Sequence, residues 1–310
     1  MPHTTASAHR PRALTGTLYC FSAAVLFSAK SILIKLVYAH PVDASTVLAL
    51  RMAFSLPFFL AMALWSSRSQ RHNRLGRGEW LAILGLGFAG YYLASYLDFL
   101  GLQYISASFE RLTLFLYPTI VVLLSALLLR RRIDRYQMLA LVLSYAGIAL
   151  VFAEHLTGSG ARHEVWLGAG LVLSSAVIYS FYLIGSAEVV GRIGAVRFTA
   201  YAMTVACAVT FLQFLLTHPL SALALPREVY TLTLVMATVS TVLPAALMSE
   251  GLRRIGANQA AMVGSVGPVS TILLGYVFLG EVLTAIQLAG AALVLAGVTL
   301  VTLKAKVAPG

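Results

Sequence analysis

The 310-residue chain is 59% hydrophobic and 11% charged, with a mean hydropathy of +0.86. An ordinary soluble domain carries about 25% charged residues and a spanning helix about 20 apolar ones, which excludes a soluble protein and leaves room for ten spans with no sizeable soluble domain. The net charge of +11 reads as Lys and Arg held in the cytoplasmic loops of a membrane protein, not as a nucleic-acid footprint.

In chain order, hydropathy predicts spans over Leu14–Tyr38, Asp43–Trp65, Glu79–Leu100, Ser106–Leu129 and Arg135–Ala153. Five more follow over Val165–Ala187, Ile193–Thr217, Glu228–Glu250, Ala257–Leu279 and Thr284–Leu303. Arg10 and Arg12 before the first span could imitate a signal peptide, but that stretch is too long and lacks a small-residue cleavage site, so it reads as a retained helix. Turn signals separate the spans: His40-Pro41, the Arg-rich 66–78 stretch, Arg130–Arg132, Gly158–Gly160, His218-Pro219 and Pro226. Tight seams lie at Leu102–Ser106, Gly251–Gly256 and Gly280–Val282. With the N-terminus placed in the cytoplasm, sixteen of the 22 Lys and Arg fall inside, among them Arg71, Arg74, Arg131, Arg132, Arg253 and Lys306. Only Arg162 and Arg227 fall outside, and Lys30, Lys35, Arg51 and Arg111 lie within spans. That asymmetry puts both termini in the cytoplasm.

The chain repeats itself. A shift of 150 residues lays Gly101-Leu102-x-x-Ile105-x-Ala107 on Gly251-Leu252-x-x-Ile255-x-Ala257 and pairs Pro118 with Pro268, Gln137 with Gln287 and Gly147 with Gly297. A shift of 152 lays Ser22, Ala24, Val25 and Ser28 on Ser174, Ala176, Val177 and Ser180. Five spans per copy is odd, so the second copy is inverted in the bilayer. The fold class expected is an all-α membrane protein of ten transmembrane helices in two inverted five-helix repeats, over residues 14–153 and 164–303, flanked by cytoplasmic tails 1–13 and 304–310. Inverted repeats are the architecture of many secondary transporters.

The five-helix inverted repeat, the Gly-Leu-x-x-Ile-x-Ala seams, the central prolines and the Gly280-Glu281 ending followed by Gln287 and Gly297 resemble the drug/metabolite transporter superfamily, EamA type. The resemblance covers about residues 14–303. It implies ten helices, cytoplasmic termini, a central cavity and transport of small metabolites, often by export. The first copy departs from the pattern where Arg131 stands at the position matching Glu281.

Ionisable residues inside spans are rare and usually functional. Lys30, Arg51, Asp98, Glu110 and Arg111 come from four helices of the first copy and fall in the outer half at similar depth. Their excess positive charge would suit an anionic group such as a carboxylate, which Arg grips bidentately. Alternatively they form structural pairs or an outer gate, the role assigned to Asp98. Glu188 and Glu250, with Arg192, Arg197, Arg253 and Arg254, are the candidate inner gate. Tyr91, Tyr92 and Tyr96 are candidate cavity-lining aromatics, and at most one of the adjacent Tyr91 and Tyr92 faces straight into a cavity. Pro118 and Pro268 are expected to kink their helices. Glu110 is the best candidate for a proton carrier, and Lys35 is expected to snorkel toward the surface.

Small residues at Ala257, Ala261 and Ser265 form a close-packing face that would permit a homodimer without requiring one. Cys20 and Cys207 form no disulfide or metal motif, no cofactor is implied, and all seven histidines lie in tails, loops or span ends. Without a Gly-x-x-x-x-Gly-Lys loop, ATP is not the energy source. The reading is a secondary transporter exporting an amino acid or related organic acid across a bacterial inner membrane. An uptake carrier or a lipid or lipid-linked-sugar flippase is the alternative, and an intramembrane enzyme is disfavoured.

Overall fold

A computed structural model describes residues 9–69, 75–128, 130, 133–157, 162–282 and 284–304. Arg71, Arg74, Arg131, Arg132, Lys306 and the Gly158–Gly160 turn lie outside them, as do the side chains of Ala257 and Ala261. The described residues are almost entirely helical, with no strand. In lipid, backbone polar groups must be satisfied within the segment, and the apolar runs leave the chain no other solution.

In chain order the helices are α1 (His9–Tyr38), α2 (Ala44–Ser69), α3 (Arg77–Gly101), α4 (Ala107–Leu128), α5 (Arg135–Thr157), α6 (Arg162–Ile193) and α7 (Ala195–Thr217). Next come α8, built from Arg227–Ala237, Thr238–Val242 and Leu243–Gly264, then α9 (Val266–Leu279) and α10 (Ala285–Lys304). Among the described residues, eight segments are long and apolar enough to cross a membrane, and Val266–Leu279 and Ala285–Leu300 are shorter apolar helices.

The packing shows the two repeats directly. Helix α1 lies on α8 and α9, as α6 lies on α3 and α4. A Cβ on Gly16 would meet Arg254 and Ile255, and one on Gly168 would meet Tyr104 and Ile105, the same positions one repeat apart. The Ser28 hydroxyl donates to the Gly267 carbonyl at 2.8 Å, and Ser180 donates to Tyr117 at 3.1 Å. Both acceptors immediately precede the repeat-related prolines, Pro268 and Pro118.

Helices that pair with their own counterpart fix the inversion. Ser45 of α2 meets Gln213 of α7, whereas Met52 meets Cys207, so α2 and α7 are antiparallel. Gly147 meets Gly290 while Gly297 meets Ser144 and Ala140, so α5 and α10 are antiparallel as well. Equivalent helices running in opposite directions require one repeat to be upside down relative to the other.

Two kinds of helix break come in repeat-related pairs, whereas among the described residues the wide turn Gly275–Leu279 of α9 has no counterpart in α4. Wide helical turns occupy Gly87–Leu93 in α3 and Thr238–Val242 in α8. Helix α4 breaks at Phe115–Leu116, and the helical run through α8 and α9 breaks at Ser265, each break beginning three residues before its proline. Proline has no N–H to donate and its ring crowds the carbonyl four residues back, which places the defect there.

The backbone differs from expectation at one seam. It is helical across Gly251–Gly256, where a turn was expected. Even so, Gly251 packs on Cys20, Ile255 on Gly16, and Gly267 on Ser28. The chain therefore runs down α1 to Gly16 and back up to Ser28, about 18 Å, within twelve residues, which an unbroken α-helix cannot do, so the turn of this seam is made between Ile255 and Gly267.

Candidate functional site

The charged residues of the first repeat converge between α1, α2, α3 and α4. Lys30 Nζ donates to Asp98 Oδ2 at 2.6 Å, and Asp98 is only 2% exposed. One residue along α1, the Ser31 hydroxyl donates to Glu110 Oε2 at 2.6 Å, and Glu110 is fully buried. Arg51 is buried on α2 with its guanidinium 4.8 Å from the centre of the Phe99 ring. Arg111 of α4 reaches α9, where its Nη2 would lie 3.0 Å from a Cβ on Gly267; the missing side chain at Gly267 makes that approach possible. Among the described residues neither Arg51 nor Arg111 forms an ion pair.

Buried polar atoms without partners concentrate here. Among the described residues Arg51 Nε, Asp98 Oδ1, Glu110 Oε1 and Arg111 Nε are all buried with no hydrogen-bond partner. Unsatisfied buried groups cost about 1–3 kcal/mol each, more for charged ones, so their clustering marks a place adapted to something other than stability.

Beside Arg111 lies a group of tyrosines. Arg111 interacts electrostatically with Tyr117 and Tyr179. Tyr117 and Tyr179 meet edge to face at 5.4 Å, and Tyr179 stacks on Tyr182 at 5.5 Å. The Tyr182 hydroxyl donates to the Tyr91 hydroxyl at 2.9 Å. Gly90 admits the Tyr182 ring, because a Cβ there would fall 2.2 Å from its Cγ. Tyr92 points elsewhere, buried and stacked on Tyr96 with ring centres 6.0 Å apart. Tyr91 and Tyr92 both lie in the wide turn Gly87–Leu93, and as helix neighbours they point to different sides.

Glu281 acts where sequence reasoning named only a motif. Its carboxylate accepts from the Ala107 N–H at 2.7 Å, the Ser108 N–H at 3.1 Å and the Ser108 hydroxyl at 2.5 Å. It caps the N-terminus of α4, where orphan amides favour an anion. Gly280 turns the chain there with φ of +65°, and Gly275 leaves room for the carboxylate. Lys35 lies half-buried with Glu281 and Glu110 as its electrostatic neighbours, so it belongs to the same charged region.

The other candidates sit apart. Exposed Glu188 pairs with Arg192 one turn along α6. Glu250 accepts from Arg253 at 2.7 Å and Arg254 at 2.7 Å on its own helix, and Arg254 lies over Tyr19 of α1 at 4.9 Å. Repeat symmetry carries Lys30, Asp98 and Glu110 onto Tyr182, Met248 and Ala260. The ionic cluster thus has no charged counterpart in the second repeat. At the loop between α1 and α2, Asp43 caps α2 and faces His218 at 3.2 Å. Partial burial raises the Asp43 carboxyl, but hydrogen bonds from Thr46 and Ser45 and the nearby His218 outweigh this and hold it below the ordinary carboxylate range.

Tyr179, Tyr182, Ser28 and Ser180 were not picked out by sequence as site residues. The signal was there, since the 152-residue shift lays Ser28 on Ser180 and Lys30 on Tyr182.

The sequence matches the EamA-like transporter family twice, over residues 14–153 and 166–303. The chain belongs to that family. It is 34% identical over 288 residues to "Uncharacterized transporter YcbK" of Bacillus subtilis, covering 90% of this chain and 89% of that one. An "Uncharacterized transporter" of Archaeoglobus fulgidus is 26% identical over 257 residues, covering 83% and 86% respectively. A crystal structure titled "Crystal structure of protein" shares the fold with a TM-score of 0.64 over 95% of this chain and 99% of its own, at 20% identity. The chain is thus a multi-pass membrane transporter of the EamA type.

Proposed function

We propose that the chain is a secondary transporter exporting a small carboxylate-bearing metabolite, such as an amino acid or related organic acid. It works by alternating access between its inverted repeats in a bacterial plasma membrane, with both termini cytoplasmic. The observation that carries the reading is the guanidinium of Arg111, without an ionic partner, beside Tyr91, Tyr117, Tyr179 and Tyr182. A guanidinium offers a carboxylate a bidentate fork, and tyrosines supply an apolar wall with polar handles.

Ion pairs that cross between helices, Lys30–Asp98 and His218–Asp43, lie toward the α1–α2 loop. At the opposite end Glu188 pairs with Arg192, and Glu250 with Arg253 and Arg254, each within its own helix. The Lys30–Asp98 contact between α1 and α3 supports the ionic cluster as a closed outer gate, with Arg111 beneath it.

The test is metabolite profiling of cells and medium with and without overexpression, beside Arg111→Ala. A single acid accumulating outside only with the intact protein supports both transport and site. Equal accumulation with the variant overturns the site while transport stands. No change in the medium overturns export and leaves uptake or flipping of a lipid-linked substrate as the leading reading.

A further inference from the structure

We propose that Asp98 and Glu110 hold one exchangeable proton between them, a binding site for the hydrogen ion inside the ionic cluster. Each carboxyl is buried and each has one satisfied oxygen: Asp98 Oδ2 takes Lys30, and Glu110 Oε2 takes Ser31. The remaining oxygens, Asp98 Oδ1 and Glu110 Oε1, have no donor. The two carboxyls themselves lie close enough to hydrogen-bond to each other. Two carboxylates can only accept, so the pair is satisfied when one carries a proton and donates it to the other. One proton thereby satisfies two orphaned oxygens and removes a like-charge repulsion in a buried site.

The surrounding groups come from several helices, with Tyr96 of α3 beside Tyr38 and Cys207 of α7 beside Arg51. Helix α1 supplies Lys30, Lys35 and Tyr38, α2 supplies Arg51, and α4 supplies Arg111. Glu281, at the end of α9, faces Lys35. Three of these cations lie near the pair without an ion-pair bond to it, whereas Lys30 is bonded to Asp98. They offset charge but supply no donor to the orphaned oxygens.

The proton site stands on this geometry alone. Its use as the coupling ion rests on the transport reading above. Opening the outer side would part α1 from α3 and α4, breaking the Lys30–Asp98 and Ser31–Glu110 bonds and exposing both carboxyls to water. The proton is then free to exchange once per cycle.

Infrared difference spectroscopy on the purified full-length protein, with pH as the only variable, tests the site without a substrate. The wild type should show a protonated-carboxyl C=O band at neutral pH that shifts in D2O and disappears reversibly as pH rises. The band should vanish in Glu110→Gln and in Asp98→Asn, because either amide supplies the N–H that replaces the shared proton. A wild type without the band at neutral pH overturns the proposal, even if neither variant folds. So does a band that survives in Asp98→Asn, which would place the proton on Glu110 alone. Because no metabolite enters this measurement, it fails independently of the profiling experiment.

Discussion

Lys30→Met removes the cationic half of a contact made at 2.6 Å, with Lys30 side-chain exposure of 16% and Asp98 exposure of 2%. So little water reaches the pair that screening offers small relief. The variant leaves Asp98 with neither oxygen bonded to a cation, since Oδ1 has no donor in the intact protein. Breaking one partner of a buried pair costs about 3–5 kcal/mol. Asp98→Asn should cost less, about 1–2 kcal/mol, because Lys30 retains a path to water and an amide can still accept. The double variant should return to within about 2 kcal/mol of the wild type, since desolvating a charge pair offsets most of its attraction. The assay is unfolding in detergent micelles monitored by helix signal, read as a double-mutant cycle. If Lys30→Met costs under about 1 kcal/mol, or the two single costs simply add to within about 0.5 kcal/mol, the pair is not the buried, coupled contact described above.

Gly90→Ala should destabilise the protein by at least about 1–3 kcal/mol, because the new methyl would lie 2.2 Å from Tyr182 Cγ and 2.7 Å from its Cβ. The Cβ cannot rotate away, and Tyr182→Ala would still leave a Cβ in its path, so the partner change is Tyr182→Gly: the double variant should cost less than the sum of the two single costs, and unfolding midpoints of all three variants decide it. Asp43→Asn keeps an N-cap oxygen but removes the negative charge at the start of α2, so it should cost about 0.3–1 kcal/mol at neutral pH. Its folded carboxyl lies below the ordinary range, so the gap to wild type is full above about pH 4 and closes as pH falls through the folded value. A gap that widened on acidification would contradict that assignment.

Much of this protein was legible in the sequence because lipid is a severe solvent. Apolar runs in a chain with 11% charge permit only spanning helices, and the 150-residue register of Gly101, Pro118 and Gly147 exposes the duplication. Charges buried in such runs stand out, so Lys30, Arg51, Asp98, Glu110 and Arg111 could be named before any helix was packed.

The tertiary structure alone decided which of them meet. Lys30 and Asp98 lie 68 residues apart, and their contact depends on the rotational phase of α1 against α3. That phase is set by the wide turn at Gly87–Leu93, which departs from the 3.6-residue period on which sequence reading relies. Tyr91 meets Tyr182, 91 residues away, only in the folded chain, whereas Tyr92 meets Tyr96 one turn along its own helix. Glu281 shows the limit from the other side: its motif was visible, but its partners Ala107 and Ser108 are more than 170 residues away. An orphan amide at a helix start leaves no mark in the sequence of the segment that caps it.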